Sequence, residues 1–165
     1  MISIRPLREE DYPSIKIIYE QGIATGNATF ETEAPPWQQW DKNHLGKGRL
    51  VAVNEHNSIV GWAALTPVSG RCVYSGVAEL SVYVHSDARN QGVGKLLLTE
   101  LIVESERQNI WTLQAGIFPE NTASIELHRR CGFRQIGYHE KIGKMKNVWR
   151  DTILMERRSL TIGVN

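Results

Sequence analysis

Between Val77 and Val84 the sequence alternates in character. A β-strand sends successive side chains to opposite faces, so Val77, Glu79, Ser81 and Tyr83 share one face and Ala78, Leu80, Val82 and Val84 the other. A carboxylate, a hydroxyl and a phenol then stand together beside an apolar face. Two readings fit this pattern. The polar set is the solvent face of an antiparallel sheet. Alternatively, Glu79 is a general base in a cleft, its pKa raised by burial near an aromatic ring so that it accepts a proton near neutral pH.

The next segment is Arg89-Asn90-Gln91-Gly92-Val93-Gly94-Lys95, at the start of an amphipathic helix. Glycines at a helix start admit close approach to the backbone. The first turn leaves N–H groups free, and the helix dipole favours an anion there. The chemistry suits a pyrophosphate, with Arg89 and Lys95 adding charge; a plain glycine turn beside two solvated cations is the alternative. The dinucleotide fingerprint and the P-loop both require spacings that are not present.

Asn121, Ser124 and His128 are spaced three and four apart, which puts them on one face of a helix. Asn121 also suits an N-cap, and an isolated His128 suits a core position with a local partner. Three polar groups on one stripe, following a strand, fit the wall of a ligand groove. Cys131 reads as a small buried hydrophobe.

These segments need elements to hold them. Met1 to Arg5 alternates as a short strand, and Glu9 to Gly22 carries Tyr12, Ile15, Ile18 and Tyr19 at helical spacing. Thr25 to Pro36 reads as a loop, and Trp37 to Leu45 as a weaker helix. Leu50 to Val53 and Ile59 to Leu65 are strands joined by Asn54-Glu55-His56-Asn57, a hairpin signal. Val77 to Val84 is a longer strand, and Val93 to Glu106 an amphipathic helix. Ile110 to Phe118 is a strand and Asn121 to Arg130 a helix closed by Gly132; Phe133 to Tyr138 and Trp149 to Met155 are the last strands. The alternation of strands and helices predicts a mixed α/β (α+β) domain.

Composition narrows the function classes. The 165 residues suit a single domain over 1–165, large enough to bury about 70% of its unfolded surface. With Lys and Arg at 19 and Asp and Glu at 18, the net charge of +1 argues against a nucleic-acid-coating protein. No apolar run approaches the ~20 residues of a membrane span, and the N-terminus lacks a signal-peptide core. Cys72 and Cys131 are too few for a disulfide scaffold and lack metal-ligand spacing. A reducing cytoplasm and no metal are expected.

Taken together and in order, the motifs resemble the GNAT superfamily of acetyl-CoA-dependent N-acetyltransferases. They are Glu79 to Val84, Arg89 to Gly94, and Asn121 to Phe133. The likeness is greatest to the phosphinothricin acetyltransferase-like branch and extends over Ile4-Arg5-Pro6, Ala28-Thr29-Phe30, Gly143, Trp149 and Asp151. It implies a twisted, mostly antiparallel mixed sheet with splayed central strands and helices on both faces. It implies that the backbone of Val82, Tyr83 and Val84 pairs with the acetyl-pantetheine arm. Arg89, Asn90, Gln91, Gly92, Val93, Gly94 and Lys95 would hold the pyrophosphate, and Asn121 and Ser124 would contact the arm.

An amine attacks a thioester only when unprotonated, so some group must take its proton. The resemblance gives this role to Glu79. A backbone N–H on the splayed strand would steady the oxyanion. Many GNAT enzymes place tyrosine where His128 stands; histidine there matches the phosphinothricin branch, and His128 is expected to assist proton transfer. Phe30, Arg71, Tyr74 and Tyr83 match the branch's substrate pocket, where Arg71 would hold an acidic group. The branch is usually dimeric. This chain departs from the herbicide-resistance enzymes at Val68, Ser69 and Gly76, which replace a tryptophan, a lysine and another tryptophan. A small amino acid or an analogue such as methionine sulfoximine is therefore expected over phosphinothricin itself. A protein N-terminus, a polyamine, or a non-catalytic acetyl-CoA-binding role are the alternatives.

Overall fold

The computed structural model describes residues 1–165. The chain runs β1 (Ser3–Pro6), α1 (Tyr12–Ala24), α2 (Trp37–Asn43), β2 (Leu50–Val53), β3 (Ile59–Pro67), β4 (Val77–Val84), α3 (Val93–Arg107), β5 (Thr112–Ile117), α4 (Thr122–Arg130), β6 (Arg134–Met145) and β7 (Val148–Arg158). One seven-stranded sheet has the order β1-β2-β3-β4-β5-β7-β6. Its pairings are antiparallel except that of β4 with β5, which is parallel.

Alternation along β2 and β3 builds two apolar layers. Leu50, Ala52, Ala63 and Leu65 join Leu97, Leu98 and Leu101 of α3 in the larger core. Val51, Val53, Trp62 and Ala64 face the other way, onto Tyr12, Ile15 and Ile18 of α1 and Trp40 of α2. Helices thus cover both faces of these strands, which is why their residues read as a nearly continuous apolar run. Pro13 falls in the first turn of α1, where its missing N–H costs no intrahelical bond.

The last hairpin is longer than the sequence pattern predicts. β6 continues past Tyr138 to Met145, and β7 runs to Arg158. Most of β6 is solvent-exposed, so no buried face imposes a hydrophobic alternation on His139 to Lys144. Its turn is made by Lys146 and Asn147, both at positive φ (48° and 65°), as a two-residue hairpin of primed type requires.

The sheet opens in its middle. β4 and β5 pair only at Val77↔Thr112, Ala78↔Leu113 and Glu79↔Gln114. Beyond Glu79, β4 stays with β3 as far as the Gly61↔Val84 pair, while β5 stays with β7 as far as Ile117↔Ile153. Residues 80–84 therefore present their β5-facing edge with no strand partner. No helix is long and apolar enough to cross a membrane.

Candidate active site

Divergence of β4 from β5 produces a cavity of about 230 Å³. Leu80 to Tyr83 form one wall and Ala115 to Phe118 the other. Asn121, Ser124 and His128 close it from α4, and Ala28, Thr29 and Phe30 from the loop after α1. A second recess of about 490 Å³ lies toward α1 and α2, with Tyr19, Glu31, Glu33, Gln39 and His44 on its walls. Thr29, Glu79, Ser81 and Tyr83 line both. Glu79 sits at the last register pair before the strands part.

The Glu79 carboxyl makes no hydrogen bond and no ion pair. It reaches over β5, where a side chain on Gly116 would begin 3.9 Å from its Oε1. Solvent enters from the mouth of the cleft, but the surrounding walls strip much of the carboxylate's hydration. That desolvation pushes its pKa above the ordinary 4.5. No cation offsets it, so this carboxyl, though open to solvent at the mouth of the cleft, is a stronger base than a fully hydrated one.

Tyr83 lines both recesses while its ring packs against the second core. Its ring stacks on Trp62 at 4.8 Å and on Tyr19 at 5.0 Å. Burial raises the pKa of both phenols, so they stay protonated as hydrogen-bond donors.

Asn121 caps α4: its Oδ1 accepts from the Ser124 N–H at 3.2 Å. Its Nδ2 donates to the Asn27 carbonyl at 3.1 Å. His128 is 4% exposed. Its Nδ1 lies 2.7 Å from the Ser124 carbonyl oxygen, which can only accept. Nδ1 therefore carries the hydrogen and Nε2 the lone pair. Nε2 is buried without a partner. Desolvation lowers the pKa of the ring, keeping it neutral.

The glycine turn has the backbone an anion site needs. Asn90 and Gly92 have φ of 62° and 80°. Gly92 is the N-cap of α3 and offers no side-chain cap, and Leu96 is the first residue to bond back to it, leaving the amides of residues 93–95 without intrahelical acceptors. Arg89 and Lys95 are exposed beside it, and Gln91 is fastened to the Asp87 carbonyl at 3.2 Å. The unpaired edge of β4 and this turn fit a long donor that carries amides at one end and phosphates further along.

Among the expected substrate residues, Phe30 lines the cleft and packs edge-on to Phe118 at 4.9 Å. Arg71 and Tyr74 do not line either recess. They lie on the exposed connection between β3 and β4, with the Arg71 guanidinium 5.7 Å from the Tyr74 ring. Gly76 leaves space that the Trp111 indole fills; a Cβ there would fall 2.1 Å from the ring. The sequence reading missed Thr29, Phe118 and Gly116 as site walls. A lone glycine inside the β5 pattern was the available signal for close approach at Gly116. No cluster of His, Cys, Asp and Glu has the arrangement to hold a metal ion.

A model of the acetyltransferase (GNAT) family matches residues 3–133. The chain is 37% identical to phosphinothricin N-acetyltransferase of Alcaligenes faecalis, over 94% of this chain and 81% of that one. It is 34% identical to the L-methionine sulfoximine/L-methionine sulfone acetyltransferase of Pseudomonas aeruginosa, covering 93% of this chain and 92% of the relative. The crystal structure of a GNAT superfamily phosphinothricin acetyltransferase from Sinorhizobium meliloti, in complex with AcCoA, superposes with a TM-score of 0.86 at 30% identity, over 95% of this chain and 88% of that chain. The splayed strands, the glycine turn and this similarity along most of the sequence agree: the chain belongs to the GNAT family of acetyltransferases and takes acetyl-CoA as its acyl donor.

Proposed function

We propose that this enzyme acetylates the amine of a small amino acid or amino acid analogue, with Glu79 as the general base. The observation that carries the reading is the place of Glu79: an unpartnered, partly desolvated carboxylate on the walls shared by the two recesses. The cleft between β4 and β5 receives the donor, and the recess toward α1 and α2 receives the amine. Acetyl-CoA supplies a thioester carbonyl as electrophile.

Glu79 takes the proton that the amine must lose; the new C–N bond forms as the C–S bond breaks, and the sulfur leaves as the CoA thiolate, which takes a proton from solvent to become CoA thiol. The backbone of Val82, Tyr83 and Val84 holds the pantetheine arm as an added strand, joined by Asn121 and Ser124 from α4. The amides from Asn90 to Lys95, with Arg89 and Lys95, hold the pyrophosphate. His128 acts as a neutral acceptor through Nε2. Giving a proton to the thiolate would require it first to gain one, which its burial opposes.

The relatives' substrates support a free amino acid bearing an acidic or sulfone-like side chain. Phe30 and Tyr83 shape the pocket; Arg71 and Tyr74, which line neither recess of the single chain, are assigned to the substrate's acidic group by their match to the branch alone. One observation favours a second reading. The amine recess has Glu31, Glu33 and Glu79 on its walls and no lysine or arginine, as a polyamine or another basic amine would require. An acetyl-transfer screen over amino acids, methionine sulfone and sulfoximine, phosphinothricin, polyamines and short peptides separates the two. Turnover with none of them would leave a donor-binding module.

The two cores share one sheet, which supports residues 1–165 as a single domain. A homodimer is the expected assembly, supported by the exposed Tyr138, Ile142, Val148 and Trp149 on the hairpin at the sheet edge. Light scattering of the purified chain tests it. The free Cys72 and Cys131 support residence in a reducing cytoplasm.

A further inference from the structure

The loop between α1 and α2 crosses the splay of the sheet. At its start it continues α1, which packs on the β2–β3 side through Ile15 and Ile18. At Gly26 and Asn27 it is fastened to the opposite half of the sheet by Arg150 of β7. The Arg150 Nη1 donates to the Gly26 carbonyl at 2.9 Å, and Nη2 to Asn27 Oδ1 at 2.9 Å. Nη2 also meets Glu120 Oε2 at 3.3 Å. The guanidinium carbon lies 4.0 Å from the centroid of the Phe118 ring, and the side chain is only 13% exposed.

Further along the same loop, Phe30 packs on Phe118 and over Gly143, where a Cβ would fall 2.8 Å from the Phe30 ring. Gly143 is the register partner of Arg150. The loop is therefore a strap across the cleft, and Arg150 is its attachment on β7, beside the Asn121 hydrogen bond to the Asn27 carbonyl. Ala28, Thr29 and Phe30, the residues that line the cleft, lie just beyond that attachment.

We propose that Arg150 is a positioning residue for acetyl transfer. It holds the strap taut, so that Thr29 stays on the wall shared by the two recesses beside Glu79, while Phe30 closes the donor cleft and keeps water from the donor's thioester. This rests on the reading of the two recesses as donor and amine sites. A guanidinium suits the task because its fork serves two acceptors while its face covers an aromatic ring. A lysine could serve only as a point donor. Water that enters adds its oxygen to the acetyl carbon as the C–S bond breaks, giving acetate and CoA thiol with no amine consumed.

The test compares wild type, Arg150→Leu, Arg150→Lys and Asn27→Ala. Arg150→Leu is expected to raise the KM of both the amine and acetyl-CoA, by up to about tenfold, from the loss of charged hydrogen bonds. Amine-independent CoA release should rise, and deuterium uptake at residues 25–31 should accelerate. Arg150→Lys should recover part of each effect. Asn27→Ala is surface-exposed and safe for folding; it should act in the same direction, and its effect should not add to that of Arg150→Leu. Unchanged uptake at residues 25–31 overturns the proposal. So does a fall in apparent kcat with both KM values unchanged, as a general loss of folded enzyme would give. If wild type acetylates no amine, the function reading fails; the strap is then judged by uptake and by CoA release from acetyl-CoA alone.

Discussion

The Nδ1 of His128 lies 2.7 Å from the backbone carbonyl oxygen of Ser124, one turn earlier on α4. This one contact fixes the imidazole tautomer and leaves Nε2 as a buried acceptor without a partner. Desolvation holds the ring below its ordinary pKa of 6.5. At high pH the folded and unfolded chains both carry a neutral imidazole. As the pH falls below 6.5 the unfolded chain binds a proton first, so stability should fall with pH until folded His128 titrates as well. Urea unfolding from about pH 8 to about pH 5 should show this slope, and His128→Phe should reduce it. A folded-state NMR titration of the ring at or above 6.5 would contradict the geometry.

Glu79→Gln should keep acetyl-CoA binding while turnover falls by about 10²–10⁴-fold, the usual worth of a general base. The carboxyl must be ionised to accept a proton, so wild-type kcat/KM should decline as pH drops through its raised pKa. That acidic limb should lie above 4.5 and be absent from the variant. Equal turnover in the two proteins would remove Glu79 from the chemistry.

Gly22, near the end of α1, is held to its size by Tyr83. A Cβ at position 22 would fall 2.6 Å from Tyr83 Cε1. The ring cannot retreat, because Trp62 and Tyr19 stack against it. Alanine gains about 1 kcal/mol of helix propensity over glycine, while overpacking costs about 1–3 kcal/mol. Gly22→Ala should therefore be neutral to destabilising by up to about 2 kcal/mol in thermal unfolding, against the propensity rule. It should also raise the amine KM, since Tyr83 lines the amine recess.

Asp11 is buried against Arg5, which meets both carboxylate oxygens at 2.8 Å, and it also accepts from the Arg8 N–H at 2.8 Å. These contacts hold its pKa below the ordinary 3.8, with the Arg5 hydrogen bonds contributing most. The pair stabilises the fold above 3.8, and the contribution is lost as pH falls through the lower folded value. Arg5→Ala leaves the carboxylate buried alone and should cost about 1–3 kcal/mol, less than in a fully enclosed pair because the guanidinium is partly exposed. Denaturant unfolding near neutral pH measures it.

Much of this architecture is legible from particular residues. The alternation around Glu79 located β4 to the residue, since one of its faces meets a core and the other a recess. Gly92 and Gly94 marked the start of α3, and Asn121 proved to be the N-cap it resembled. The far end of β6 was not legible, because a strand with both faces in water carries no burial pattern to read. Arg150 was hidden for a different reason. Its partners Gly26, Asn27 and Glu120 are distant in sequence and meet only after the sheet has folded. Arg71 drew attention through its chemistry, yet position decides what a side chain can touch, and it lies outside both recesses of the single chain.

The three register pairs between β4 and β5 act as the apex of a wedge, and Glu79 belongs to the last of them. In a wedge, displacement grows with distance from the apex. A change in the angle between the two halves of the sheet would move Val84 and Ile117 far more than it would move the Glu79 carboxylate. The geometry puts Glu79 at the fulcrum, and the edges that part, Val84 and Ile117, at the rim.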